Sequence, residues 1–316
     1  MSALLLTAAW WVSGCSLMPP TPQTDQLMQQ AQQTPGAVSP RLFERQDLPV
    51  VLQEPDFCGP AALSMVLSQA GRPATQDELG AQVFLPGRSG TLQTEMLSGP
   101  RRFGLVSYQL DGQLTALLHE TRLGRSPVVL LNLGLSWAPR WHYAVVMGYD
   151  LDRGEIILRS GTAERQSLPL RTFEYTWARS QYWSMVVAPP GTLPDSVDAP
   201  HAEQAALGFE QVNPPAQAMR VWQDIVSRWP DRLLPQLALG NAQSASGHWP
   251  DAARTFEHAT AQFDSAVAWN NLAQARLALG DREGARTAAE RGLARARSHE
   301  PRWVDALVQT LNAIQN

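Results

Sequence analysis

The sequence predicts an α+β domain built on an antiparallel sheet, followed by an all-α domain of repeated helix pairs. Three observations carry this. Helical patterns fill residues 58–121, whereas 127–188 is mostly short apolar runs separated by turn signals, and that order of helices then strands marks an α+β domain. A proline-rich stretch, PPGTLPDSVDAPHAE (189–203), then interrupts the pattern. Beyond it, like residues recur every 33–34 positions: Gly247 and Gly280, Ala252 and Ala285, Leu239 and Leu272, Ala218 and Ala252, Trp222 and Phe256.

A chain of 316 residues suits two domains, and 44% apolar with 17% charged residues is ordinary for a chain with a sizeable core. The net charge is −4, and every basic side chain of the Lys/Arg class is arginine. No basic stripe with interleaved aromatics occurs, so no nucleic-acid partner is expected. Two cysteines, Cys15 and Cys58, are too few for a disulfide framework or a cysteine-based zinc site, and no metal or cofactor is expected.

Residues 3–12, ALLLTAAWWV, are uncharged and apolar. Ten residues cannot cross a bilayer that needs about 20. They suit the apolar region of a signal peptide, with the small Ser13 and Gly14 before Cys15. The stretch VSGC resembles the lipobox of bacterial lipoproteins, which implies a signal peptide over 1–15 and lipid attachment at Cys15. An ordinary secretory signal or a buried helix is the alternative. The proline- and glutamine-rich residues 16–41 read as a disordered tether. Ser16 after a lipidated cysteine implies a bacterial envelope protein, anchored in the outer membrane and facing the periplasm.

The elements follow in order. Residues 42–52 approach as a short extended segment. A helix opens near Cys58 and stops at Gly71, with Pro73 just beyond. Thr75 to Glu78 is a capping box that opens a helix through Val83. Residues 86–91 are a loop, Thr91–Leu97 a short helix, and Gln113–Thr121 an amphipathic one through Leu114, Leu117 and Leu118. Strands follow after Pro127, from Trp141, from Glu155, from Gln166 and from Trp183, with a helix over Thr172–Ala178.

A helix–turn–helix period of 33–34 residues is the signature of tetratricopeptide repeats. The best unit begins at Trp269 and runs NNLAQARLALGDREGARTAAERGL. Three units are expected, near 202–230, 235–264 and 268–297, with a capping helix from about Pro301. Stacked repeats form a concave groove that suits a peptide or protein partner.

The stretch QEPDFCGPAALSMVL (53–67) carries the candidate chemistry. A thiol attacks as thiolate, and a helix N-terminus lowers its pKa from the usual ~8.5 through unpaired N–H groups and the dipole. Cys58 stands at such an N-terminus, with Gly59 allowing close approach and Pro60 suited to a first turn. Gln53 brings an amide that, with the Cys58 N–H, can converge on one oxygen as an oxyanion site. His142 is the polar residue of the apolar strand WHYAVVMGY and supplies a base.

Gln-x4-Cys-Gly-Pro-Ala-Ala opening a helix, with His-Tyr-Ala-Val-Val-x-Gly-Tyr-Asp in a later strand, resembles the C39-like branch of the papain-like cysteine peptidases. More narrowly, the chain is similar to bacterial lipoproteins that join such a domain to C-terminal tetratricopeptide repeats. The resemblance implies an α+β papain-like peptidase domain with N-terminal helices and an antiparallel sheet, then a tetratricopeptide-type helical domain. It implies Cys58 as nucleophile, His142 as base and Gln53 as oxyanion donor. The bounds are 1–15 signal, 16–41 tether, 42–188 peptidase domain, 189–201 linker and 202–316 repeats.

One departure stands out. The family's aspartate that orients the histidine is expected where this chain has Ser160. A hairpin turning at Asp152-Arg153 makes opposed residues sum to about 305, so His142 faces the 160–165 region. Ser160, Glu164, Asn132 from the neighbouring strand, or no residue at all can be the third member. Asp150, eight residues along one strand, is roughly 26 Å away. Loss of an orienting acid costs orders of magnitude in rate. Two readings follow: a membrane-anchored cysteine peptidase whose repeats recruit substrate or partner, and a weak or inactive adaptor that binds peptides and scaffolds an envelope complex.

Overall fold

The computed structural model describes residues 20–33, 36 and 39–315. The stretch read as a signal peptide, with Cys15, lies outside the described residues. The elements are α1 (Pro22–Gln33), β1 (Leu42–Glu44), α2 (Cys58–Gln69), α3 (Gln76–Val83), α4 (Gln93–Ser98), β2 (Val106–Gln109), α5 (Leu114–Arg122), β3 (Val128–Asn132), β4 (Trp141–Asp150), β5 (Glu155–Ser160), β6 (Ala163–Pro169), α6 (Leu170–Ala178) and β7 (Ser184–Ala188). Seven further helices follow: α7 (Ala199–Glu210), α8 (Pro215–Arg228), α9 (Leu233–Ala245), α10 (Trp249–Phe263), α11 (Ala266–Ala278), α12 (Arg282–His299) and α13 (Val304–Gln315). An antiparallel sheet with helices therefore precedes an all-helical region, as the pattern predicts.

The sheet runs β2-β7-β3-β4-β5-β6, and β1 pairs with the far end of β4, where β3 has ended. Every pairing is antiparallel. The β4–β5 hairpin has the expected register, with Asp150 opposite Glu155 and Ala144 opposite Ser160, shifted by one at a bulge near Met147. Asp150 closes the turn: its Oδ1 accepts from the N–H groups of Asp152 and Arg153, each at 3.0 Å. That carboxylate is committed there.

Alternation along β4 divides the core. Tyr143, Val145 and Met147 face α2 with Leu63, Val66 and Leu67, while Ala144, Val146 and Tyr149 face the opposite side. The second side is covered by α1, α5 and α6, and also by Ala202, Ala205, Phe209 and Trp222 of α7 and α8. The first repeat pair therefore shares one apolar core with the sheet. The proline-rich approach to α7 is held down: Val197 is buried, and the Ser196 N–H donates to the buried Glu120 at 2.8 Å.

The tether reading of 16–41 needs correction over α1. Leu27 and Ala31, one turn apart, are buried against the domain. Glu174 of α6 accepts the N–H groups of Gln23 at 3.0 Å and Thr24 at 2.6 Å, meeting the unpaired donors of the helix start. The Gln23 side chain bridges Gly112 and Leu114. A polar composition hid a narrow apolar stripe and a partner 150 residues away.

Helix starts repeat at the sequence period. From α7 to α9 is 34 residues and from α9 to α11 is 33; from α8 to α10 is 34 and from α10 to α12 is 33. Large residues at the seams, Trp222 and Phe256, are buried. Gly240 accommodates the ring of Phe256, which a Cβ would strike. α13 covers the end, with Leu307 and Ile314 buried.

Candidate active site

Glu-Pro-Asp-Phe makes a turn closed by the Phe57 N–H donating to the Glu54 carbonyl at 3.0 Å. Asp56 takes a left-handed backbone, φ 64°, and swings the chain into α2. Cys58 is the first residue of that helix, and Gly59 to Leu67 behind it are all buried. The thiol thus sits at the tip of a helix whose body is fixed in the core.

The N–H groups of Tyr143, Gly59 and Cys58 approach the sulfur and favour the thiolate, but burial outweighs them and pushes the Cys58 thiol up from its ordinary pKa, with the charge of Asp56 adding in the same direction. The expectation that the helix end leaves a low-pKa thiol is therefore corrected. The helix supplies donors, but the apolar setting that anchors it also strips solvent from the sulfur.

His142 is the second residue of β4, at the sheet rim. Its Nε2 lies 2.9 Å from Ser160 Oγ. Burial lowers its pKa, so the imidazole is neutral near pH 7. With Nε2 on Ser160, Nδ1 is the nitrogen left for the cleft.

Gln53 enters across the same rim. Its N–H donates to the Gly161 carbonyl at 3.2 Å, and its Oε1 is buried without a partner. Both that oxygen and His142 Cε1 lie 3.9 Å from the point where a Cβ of Gly161 would stand. The structure thus gathers Gln53, Cys58 and His142 along one cleft of about 1060 Å³. Its other walls are residues 87–93, the β3–β4 loop and residues 179–181. A smaller cavity of about 460 Å³, beside α1 and α5, carries His119 and Asp195 but no cysteine.

The other candidates for the histidine's partner are placed elsewhere. Asn132 Oδ1 accepts from the N–H groups of Gly134 and Arg140, each at 2.9 Å, and so ties the β3–β4 loop. Glu164 is exposed on β6 beyond the hairpin. Ser160 alone of the three hydrogen-bonds His142.

Two contributors were missed from sequence. Tyr143 brings its backbone N–H to the sulfur and donates its hydroxyl to the Thr91 carbonyl at 3.2 Å. Thr91 holds the 86–92 wall against the first turn of α2: a Cβ on Gly59 would lie 2.7 Å from Thr91 Oγ1. A backbone donor leaves no trace in residue type, but the glycine after the cysteine was the available signal for close approach.

Residues 45–185 match the family described as Peptidase_C39 like family. A comparison with curated proteins gives no match. Among solved structures, the chain is similar to a C39-like peptidase from Bacillus anthracis, with 14% identity, 46% of this chain and 97% of that one covered, and a TM-score of 0.41. It is similar to a double glycine motif protease from an AMS/PCAT transporter in complex with the leader peptide, with 17% identity, 46% and 94% covered, and a TM-score of 0.35. It is also similar to the Sgt2 TPR domain from Aspergillus fumigatus, with 23% identity, 37% and 76% covered, and a TM-score of 0.34. The chain therefore joins a region that matches the Peptidase_C39 like family, residues 45–185, to an all-helical region of repeated helix pairs.

Proposed function

We propose that the protein is a cysteine peptidase of the bacterial envelope, held at the membrane by a lipid on Cys15. The observation that carries the reading is the convergence, in one cleft, of a thiol at a helix tip, a histidine braced through its far nitrogen, and a glutamine on the opposite arm.

Thiol and imidazole are both neutral at rest, so the proton moves during the encounter. Cys58 Sγ gives its proton to His142 Nδ1 and bonds to the peptide carbonyl carbon. The carbonyl electrons move onto oxygen, where the Cys58 N–H and the Gln53 amide donate to it. The tetrahedral adduct collapses with cleavage of the C–N bond, and the imidazolium protonates the leaving amine. Water, deprotonated by His142, then attacks the thioester and releases the acid and the thiol. Ser160 keeps the ring in the tautomer that leaves Nδ1 as acceptor, by accepting from Nε2–H.

The repeats, fused to the sheet through α7, present a groove for the substrate or a protein partner. The second reading, a weak or inactive peptide-binding adaptor, is favoured by one observation: a neutral hydroxyl, in place of a carboxylate, braces the histidine. Thiol chemistry separates them. In the chain from Ser16, Cys58 is the single cysteine, and its alkylation at pH 7 must depend on His142 if the peptidase reading holds. Lipidation has its own test: Cys15→Ser releases the protein from membranes, and unchanged fractionation overturns the anchor.

A further inference from the structure

The loop between β3 and β4 exposes more apolar surface than the cleft uses. Leu133 is 52% exposed, Leu135 53%, Trp137 83% and Trp141 51%. Large apolar side chains clustered in the open mark an interaction surface. The loop is braced at its base. Asn132 Oδ1 takes two of its N–H groups, and the Arg179 guanidinium donates to the carbonyls of Asn132, at 3.2 Å, and Gly134. Leu135 and Ala138 exchange two backbone hydrogen bonds of 3.1 Å across the tip. Leu133 and Trp141 line the cleft, whereas Leu135 and Trp137 project past it.

Charge and position point to one occupant. No acidic residue lies between Asn132 and Asp150, and Arg140 has no ion-pair partner among the described residues. The start of α1 is tied to the segment that follows Arg179, which holds the loop base: the Gln23 side chain donates to the Gly112 carbonyl at 3.0 Å, and a Cβ on Gly112 would lie 3.0 Å from the Cβ of Tyr182. Cys15 precedes Pro20 by five residues, at most about 18 Å of extended chain.

We propose that the loop from Leu133 to Trp141 is an interfacial contact with an anionic phospholipid bilayer. Trp137 sits at headgroup level, where amphipathic rings partition, and Leu135 enters the acyl boundary. Arg140 meets lipid phosphate. The proposal rests on the lipid-anchor reading for its biological setting, and it sets how the anchored domain faces the bilayer. It also sets the cleft mouth at the membrane surface, so its substrates are polypeptides held at or near the bilayer.

The test uses the chain from Ser16, which keeps every described residue and carries no anchor, sedimented with phosphatidylethanolamine–phosphatidylglycerol vesicles. The unmodified chain partitions onto them. The Leu135→Ser/Trp137→Ser double variant loses roughly tenfold or more in partition, and Arg140→Gln roughly fivefold. Alkylation of Cys58 in the double variant stays at the unmodified rate, which shows an intact fold. Absence of partition, or partition that the double variant leaves unchanged, overturns the proposal. So does a double variant that keeps vesicle binding but loses self-association or binding of a soluble peptide, because the occupant is then protein. Failure of lipidation at Cys15 leaves all these outcomes as stated, since residue 15 is absent from the chain tested.

Discussion

The imidazole Nε2 of His142 lies 2.9 Å from the hydroxyl of Ser160, across the β4–β5 hairpin. A hydroxyl there fixes the ring but adds no negative charge, so the imidazolium of the proposed attack is less stabilised than a carboxylate would make it. Ser160→Ala therefore lowers the pH 7 alkylation rate of Cys58 roughly fivefold, the worth of one neutral hydrogen bond. Ser160→Asp raises the histidine pKa and increases that rate. A rate indifferent to both changes removes Ser160 from the site.

The buried, neutral state of His142 has a consequence for acid stability. Its folded pKa is below the unfolded value of about 6.5. The unfolded chain then binds a proton that the folded one refuses. The contribution is fully present above about pH 6.5 and is lost as pH falls toward the folded pKa, at up to about 1.4 kcal/mol per pH unit. Denaturant midpoints of the unmodified chain fall through that window, and His142→Gln flattens the slope.

Gly59 and Thr91 set the width of the cleft. Adding a Cβ at Gly59 places it 2.7 Å from Thr91 Oγ1 and 2.8 Å from Thr91 Cβ, so Gly59→Ala must displace the 86–92 wall. We expect a loss of about 1–3 kcal/mol by chemical denaturation. Thr91→Gly in the same chain relieves most of it, and an unrelieved loss would assign the strain elsewhere.

Leu27, 1% exposed, is the anchor of α1 on the domain. Leu27→Ala leaves a cavity and costs about 2–5 kcal/mol. If α1 were only part of a tether, the midpoint would not move.

Much of this architecture was legible in the sequence, and the reasons differ by element. The start of α2, the β4–β5 register and the 33–34-residue helix period are written in local turn chemistry and spacing, which tertiary context merely confirmed. Ser160 was reachable because a hairpin turn fixes its own register. α1 was not, because its burial depends on Glu174, far away in sequence, and its glutamines dominate the composition. The thiol pKa was misjudged because helix donors are visible in sequence and desolvation is not. Nor does spacing reveal that the core of the first repeat pair is continuous with the sheet through Phe209 and Trp222. That continuity makes a further expectation: a chain ending at residue 190 exposes the face that α7 covers and aggregates, whereas one ending after α8 stays soluble in size-exclusion chromatography.

The central claim is that His142 activates Cys58. Its most direct test is the pH dependence of Cys58 alkylation by iodoacetamide in the single-cysteine chain from Ser16, with and without His142→Ala. Because burial holds the thiol pKa up, the variant should react appreciably only at alkaline pH, while the unmodified chain keeps a rate at pH 7 at least about a hundredfold higher through proton transfer to the imidazole. Superimposable profiles, or a thiol that resists alkylation in both chains, would contradict the account.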